Sequence, residues 1–181
     1  MRSPTPVIFA LLFGIVAAPL LPDGSASAQQ QSRDDTLISA ALEIMEASRY
    51  AALVTLTESG TPSARTMDPF PPDSQFVIWL GTNRASRKVQ DIQSDPRVLV
   101  YYQDPSGAGY VTIEGTARLV DDPVEKDRRW KDEWAPFYTD RAETFLLIAV
   151  TPARMEVVNY RVGVVGDSIT WRAPTVEFER R

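Results

Sequence analysis

Short runs of apolar, β-branched and aromatic residues, punctuated by turn formers, most constrain what this chain can fold into. Ala51–Thr57, Phe76–Leu80, Arg97–Gln103, Tyr110–Val120, Phe145–Val150 and Met155–Tyr160 all have strand composition and strand length. Glu58-Ser59-Gly60 reads as a turn that returns the chain along Thr61–Asp68, and Ile169–Trp171 reads as a short late strand. Asp104–Gly109, rich in Pro, Ser and Gly, links two of the runs as a hairpin loop. Helical spacing is confined to three places. Leu37, Ala40, Ala41, Ile44, Met45 and Ser48 share one face, with Asp34 or Asp35 as cap. Asn83–Ser94 aligns Ala85, Val89 and Ile92 and stops at Asp95-Pro96; Asp122-Pro123-Val124-Glu125 is a capping arrangement with Pro at the first helical position. Many antiparallel strands with few helices predict a mainly β (α+β) barrel, not a doubly wound sheet.

The amino terminus bears on compartment. Arg2 precedes an apolar run from Val7 to Leu21, a polar break follows, and Ala26-Ser27-Ala28 places small residues at a cleavage site. This is the order of a secretory signal, and it predicts residues 1–28 as signal peptide, cleaved after Ala28. A membrane anchor is the rival reading, but the run is about 15 residues where roughly 20 are needed to span a bilayer. Residues 29–33 read as a polar linker, and 34–181 as one domain. The expected destination is periplasmic or secreted, with no stable membrane span after cleavage.

Two absences narrow the chemistry. With no Cys there is no disulfide framework and no thiolate metal site. With no His there is no Ser-His-Asp triad, no His-ligated zinc or haem and no imidazole base, so neither metal nor haem is expected. The net charge of −5 makes the chain a poor general nucleic-acid binder. A local basic cluster in such a chain therefore stands out.

One such cluster is Gly81-Thr82-Asn83-Arg84-Ala85-Ser86-Arg87-Lys88, at a strand-to-helix junction. Free N–H groups at a helix start, with a hydroxyl, guanidinium and ammonium, suit an anion. The plain alternative is a solvated helix face. A second element, Arg65-Thr66-Met67-Asp68, sets an Arg at an inward strand position, where burial demands an anionic partner. That partner is either a ligand or a carboxylate such as Asp68 or Glu114, and Met67 is either a soft surface for a planar ring or core. Trp130, Trp134, Phe137 and Tyr138 form an aromatic stretch that either roofs a ligand or packs a barrel end, with packing the commoner role.

In order, Arg65-Thr66-Met67, the apolar strand, Thr82-Asn83, Ser86-Arg87-Lys88 and Asp95-Pro96-Arg97-Val98 resemble the pyridoxamine 5′-phosphate oxidase-like split barrels. Gln103-Asp104-Pro105, Tyr110 to Gly115, Val120-Asp121-Asp122 and Val150 to Glu156 are similar to the general stress protein branch of that superfamily. The resemblance implies a split β-barrel of antiparallel strands with flanking helices, dimeric, with FMN across the interface. It implies that Arg65, Arg87 and Lys88 hold the flavin phosphate, that Ser86 reaches it, and that Thr66, Met67 and Thr82 line the ring or ribityl part. Tyr110 falls where the oxidases take a residue from the partner subunit.

Two departures stand out. The His-containing basic substrate motif of the true oxidases is absent, and Val157-Val158 stands where many relatives have Trp. The resemblance thus implies an exported flavin-binding, oxidoreductase-like protein rather than a pyridoxamine phosphate oxidase. It would work with a small-molecule electron donor or acceptor; a non-catalytic protein that binds flavin, deazaflavin or another anion is the alternative. Export in the unfolded state requires the cofactor to be acquired outside, as no twin-Arg motif marks folded export.

Overall fold

A computed structural model describes residues 24–179. The apolar run of the expected signal peptide lies outside the described residues. α1 covers Gly24–Ala47, so residues 29–33 are helical and not the linker expected from their polarity. The reason is local: Gln and Arg are good helix formers, and Gln30 and Gln31 donate to Asp34 and Asp35 one turn on, at 2.8 and 2.9 Å. Those two acids sit inside the helix and do not cap it. Its second half carries the buried face, with Leu37, Ala40, Ala41, Ile44 and Met45 against the sheet.

Seven antiparallel strands follow: β1 Ala51–Leu56, β2 Pro62–Met67, β3 Ile78–Asn83, β4 Arg97–Gln103, β5 Gly109–Val120, β6 Phe145–Asn159 and β7 Thr175–Glu177. They form one sheet in the order β2-β1-β4-β5-β6-β3, with β7 also on β6. The sheet curls until a single bridge, Pro69 to Leu80, joins its two ends. Beyond that bridge the outer edges of β2 and β3 have no ladder partner among the described residues. The barrel is split there.

Three expected boundaries move. β3 runs on through Gly81-Thr82-Asn83, so α2 is Arg87–Ser94 and does not open at Asn83. β6 is one 15-residue strand where two were expected. Thr151-Pro152 does not break it, because a register shift opposite Glu114 and Gly115 absorbs the missing donor of Pro152. Gly115 has to be glycine at that point, since a Cβ would collide with the Thr151 carbonyl. Ile169–Trp171 is not a strand; Asp167 Oδ1 accepts from the Ile169 and Thr170 backbones and folds the segment into a turn.

Two apolar clusters hold the fold. One fills the barrel beneath α1, with Leu53, Ile78, Leu80, Val100, Ile113, Ile148 and Met155 fully buried. The other covers the outer face of β3 and β6 under α3 (Pro123–Arg128), the 3-10 turn Asp132–Phe137 and α4 (Arg141–Thr144). Asp122 caps α3 by accepting from the Glu125 N–H at 2.9 Å, ahead of Pro123 as expected. Trp130, Trp134, Tyr138 and Phe145 meet edge-on or tilted in the second cluster at 5.0–6.5 Å. Packing is therefore the role of those aromatics, whereas Phe137 is 76% exposed. No helix of the described residues is long and apolar enough to cross a membrane.

Candidate functional site

The split between β2 and β3 collects the charged side chains. Side chains alternate across a strand, so Ser63, Arg65 and Met67 face inward on β2 while Ala64 and Thr66 face outward and are exposed. Arg65 is held from three sides. Its Nη1 donates to Thr55 Oγ1 at 2.6 Å and to the Ser63 carbonyl at 2.9 Å, and its Nη2 donates to Asp91 Oδ2 at 3.2 Å. Thr55, wholly buried on β1, also donates to Asp91 Oδ2, at 2.6 Å. The strand Arg thus finds its carboxylate on α2. The two candidates suggested by sequence are engaged elsewhere: Asp68 accepts from Lys131 Nζ (2.7 Å) and Trp134 Nε1 (3.2 Å), and Glu114 from Arg154 (3.3 Å).

Arg65 and Arg87 converge. Both guanidinium groups donate to the hydroxyl of Ser63, at 3.1 and 3.0 Å. Lys88, half-buried, donates to Thr82 Oγ1 at 3.1 Å, and that hydroxyl lies 3.0 Å from Ser86 Oγ. Burial, and then the positive charge of Arg65, push the Lys88 ammonium below its ordinary pKa. Among the described residues neither Arg87 nor Lys88 has a carboxylate within ion-pairing distance. Of the three cations only Arg65 is paired, with Asp91, which leaves a surplus of two positive charges.

The start of α2 adds to that surplus. Ser86 occupies the cap position with an extended backbone, but its hydroxyl makes no capping bond. No acid occupies the first turn, so the positive end of the helix and two cations stand together. Each such cation opposes the dipole by roughly 0.3–1 kcal/mol unless an anion comes between them.

Other expected site residues lie differently. Arg84 leaves the cluster: it pairs with Asp121 and donates to the Glu143 carbonyl at 3.0 Å. Met67 is buried in the barrel core, so its side chain is not open to a planar ring. Thr66 points away from Arg65, and only the strand edge connects the two. Tyr110 stands apart on β5, separated from β2 by β4 and β1, and stacks on Tyr101 at 6.0 Å. Thr55, Ser63 and Asp91 were not expected. Asp91 carried a usable signal, because it lies three residues after Lys88 and so on the same helix face.

A curled antiparallel barrel, bridged at one end and parted above a cation-lined gap, places the molecule among the split barrels. The chain belongs to the pyridoxamine 5′-phosphate oxidase like family, whose model matches residues 38–165. Among solved structures it is similar to general stress protein 26 from Bacillus anthracis str. Sterne, at 25% identity and a TM-score of 0.58, over 66% of this chain and 92% of that one. A protein related to general stress protein 26 from Clostridium acetobutylicum aligns at 20% identity and a TM-score of 0.64, over 80% and 95%. An FMN binding protein related to pyridoxamine 5′-phosphate oxidase, from Nostoc punctiforme, aligns at 15% identity and a TM-score of 0.54, over 90% and 100%. No curated protein matches the chain.

Proposed function

We propose that this protein binds FMN through the split between β2 and β3 and serves as an exported, flavin-dependent oxidoreductase. The observation that carries the reading is the meeting of Arg65 and Arg87 on Ser63 Oγ, beside a Lys88 that has no carboxylate. The surplus of two positive charges matches a phosphate dianion. Charge-assisted hydrogen bonds of about 1.5–3 kcal/mol each favour a phosphate there over water.

The chain's own groups have distinct parts in this reading. Asp91 and Thr55 fix the Arg65 guanidinium in place before any ligand arrives. Arg87 and Lys88 approach from the other side of the gap, and Ser86 and Thr82 add hydroxyls. A bound phosphate would restore the full charge of Lys88 by offsetting both burial and Arg65. Thr66, exposed on β2, would stand beside the ring or ribityl part of the cofactor. When bound, the flavin supplies the hydride or electron chemistry; the protein supplies position and electrostatics.

In this reading the protein is a homodimer with the cofactor at the interface. Tyr110, remote from the cations of its own chain, would act in the partner's site. The segment 1–28 directs export and is removed after Ala28. With no His to complete the oxidases' substrate motif, pyridoxamine phosphate is not the substrate.

The test is spectroscopic. Purified protein desalted after incubation with FMN should keep a flavin absorption spectrum, which NAD(P)H should bleach and an acceptor restore. A retained spectrum that no donor bleaches would indicate a non-catalytic flavin carrier, and retention of deazaflavin but not FMN would change the cofactor. Loss of all colour on desalting contradicts the proposal. Export is tested by the amino-terminal sequence of the protein recovered outside the cytoplasm, which should begin at Gln29.

A further inference from the structure

The outer face of the sheet changes character from one side to the other. On β5, β6 and β7 it carries Glu114, Arg154, Glu156 and Glu177, as a solvated face should. On β1 the outward positions are Ala52, Val54 and Leu56, and on β4 they include Leu99 and Tyr101. β2 adds Ala64 and Thr66, in register with Val54 and Ala52. None of these positions is charged, and neither apolar cluster of the fold includes Val54, Leu56 or Leu99. A strand that is apolar on both faces is normally covered on both.

This uncharged face runs on into a second apolar patch. Tyr101 lines one cleft with Tyr110, Tyr160 and Trp171, and Val162, Val165 and Ile169 are exposed in the same stretch of chain. Trp171 is 81% exposed and has a φ of 59°, an unusual backbone for a bulky side chain. The turn holds it there. Asp167 Oδ1 accepts from the Thr170 N–H at 2.7 Å and from its hydroxyl at 2.8 Å, and the Trp171 N–H donates to the Asp167 carbonyl at 2.9 Å. Backbone strain fixed in this way clusters at functional sites and ligand clamps. The cation cluster, by contrast, has no aromatic side chain of its own, and Met67 beside it is buried.

We propose that a second copy of this chain docks on the uncharged outer face of β2, β1 and β4, and that the contact delivers Trp171 of each copy to the flavin ring at the other's split. The docking face stands on its own; the role of Trp171 rests on the flavin reading. A face without charge offers nothing to a nucleic acid or an anionic membrane, whereas an apolar sheet face packs on its own copy about a two-fold axis. Three strands about 5 Å apart and about 20 Å long give roughly 300 Å². The Tyr160 and Trp171 patch extends that area toward the ~800 Å² per partner of a standard interface. An axis along β1 sets β4 of one copy over β2 of the other, which brings Tyr101 and Trp171 beside Thr66 at the rim of the other copy's split. Trp171 shares its cleft with Tyr110, so the two side chains travel to the partner together.

The test combines sedimentation with FMN fluorescence on the full chain. The wild type should sediment as a dimer and quench bound FMN. Val54→Glu and Leu99→Lys, both at outward positions, should keep the circular dichroism spectrum and sediment as monomers. Trp171→Ala should stay dimeric, bind FMN about tenfold more weakly and restore much of its fluorescence. Trp171→Ala co-refolded with Arg87→Ala/Lys88→Ala should regain tight, quenched sites, because only the mixed dimer joins intact cations to an intact indole across the interface. A wild-type monomer, or folded dimers in both face variants, would overturn the docking face. No recovery on mixing, or unchanged quenching in Trp171→Ala, would overturn the role of the indole. A dimer that binds no FMN would contradict the flavin reading and the role of Trp171 with it, while the docking face would stand.

Discussion

The outer face of β5, β6 and β7 and the split between β2 and β3 handle charge in opposite ways. On the outer face one cation, Arg154, meets three carboxylates: Glu114 at 3.3 Å, Glu156 at 2.7 Å and Glu177 at 3.2 Å. In the split, Arg65 takes the single carboxylate of Asp91, and Arg87 and Lys88 have none among the described residues. The first arrangement is complete within the chain and open to solvent, where such pairs contribute about 0–1 kcal/mol. The second is partly buried and incomplete. A chain of net charge −5 has acids to spare, and Arg84, three residues before Arg87, finds Asp121. The lack of partners at Arg87 and Lys88 is thus a matter of placement, not of supply. What the split lacks is an anion from outside.

Four experiments would break or sharpen that contrast. The largest effect is expected from Arg87→Ala with Lys88→Ala. FMN affinity should fall by about 3 kcal/mol or more, over a hundredfold by calorimetric titration, with thermal stability retained. Undiminished affinity would remove the phosphate assignment. Next comes Arg65→Ala, which leaves Asp91, 5% exposed, buried with only Thr55 as partner. A loss of about 3 kcal/mol in denaturant unfolding is expected, partly recovered when Asp91→Ala is added. A loss that the second substitution does not relieve would mean that Arg65 acts by packing.

A smaller effect should come from pH. Burial and Arg65 hold the Lys88 pKa below its ordinary value. Charged Lys88 attracts phosphate and neutral Lys88 does not, so FMN affinity should be full below that lowered pKa and decline as pH rises through it. Lys88→Met should bind more weakly and lose the decline. An identical pH profile in the variant would exclude Lys88 from the site. Smallest of all is Arg154→Ala, expected to cost about 1 kcal/mol or less in stability and nothing in FMN affinity. A fall in affinity there would show that the outer face also serves the cofactor.

Much of this was legible in the sequence where the local pattern has a single physical meaning. Arg97–Gln103 and the Asp122-Pro123 cap lie where composition and spacing put them. Misreadings occurred where a long-range contact overrides a local signal. Pro152 looks like a strand break until the bulge opposite Gly115 is seen. Thr82-Asn83 looks like a helix start, but pairing with Leu146 and Phe145 draws it into β3. Residues 29–33 looked like a linker because polarity alone does not distinguish a loop from an exposed helix. In the site, the cations Arg65, Arg87 and Lys88 were visible as residue types in order. Arg84 was indistinguishable from them without knowing that Asp121 lies beside it. Thr55, Ser63 and Asp91 became visible only when three separate elements came together.

The most direct measurement compares FMN with riboflavin, which differ only by the phosphate, on the wild-type chain and on the Arg87→Ala/Lys88→Ala variant. If the split holds a phosphate, FMN binds at least about a hundredfold more tightly than riboflavin to the wild type, and the advantage largely disappears in the variant. Equal affinities for the two on the wild-type protein would contradict the account.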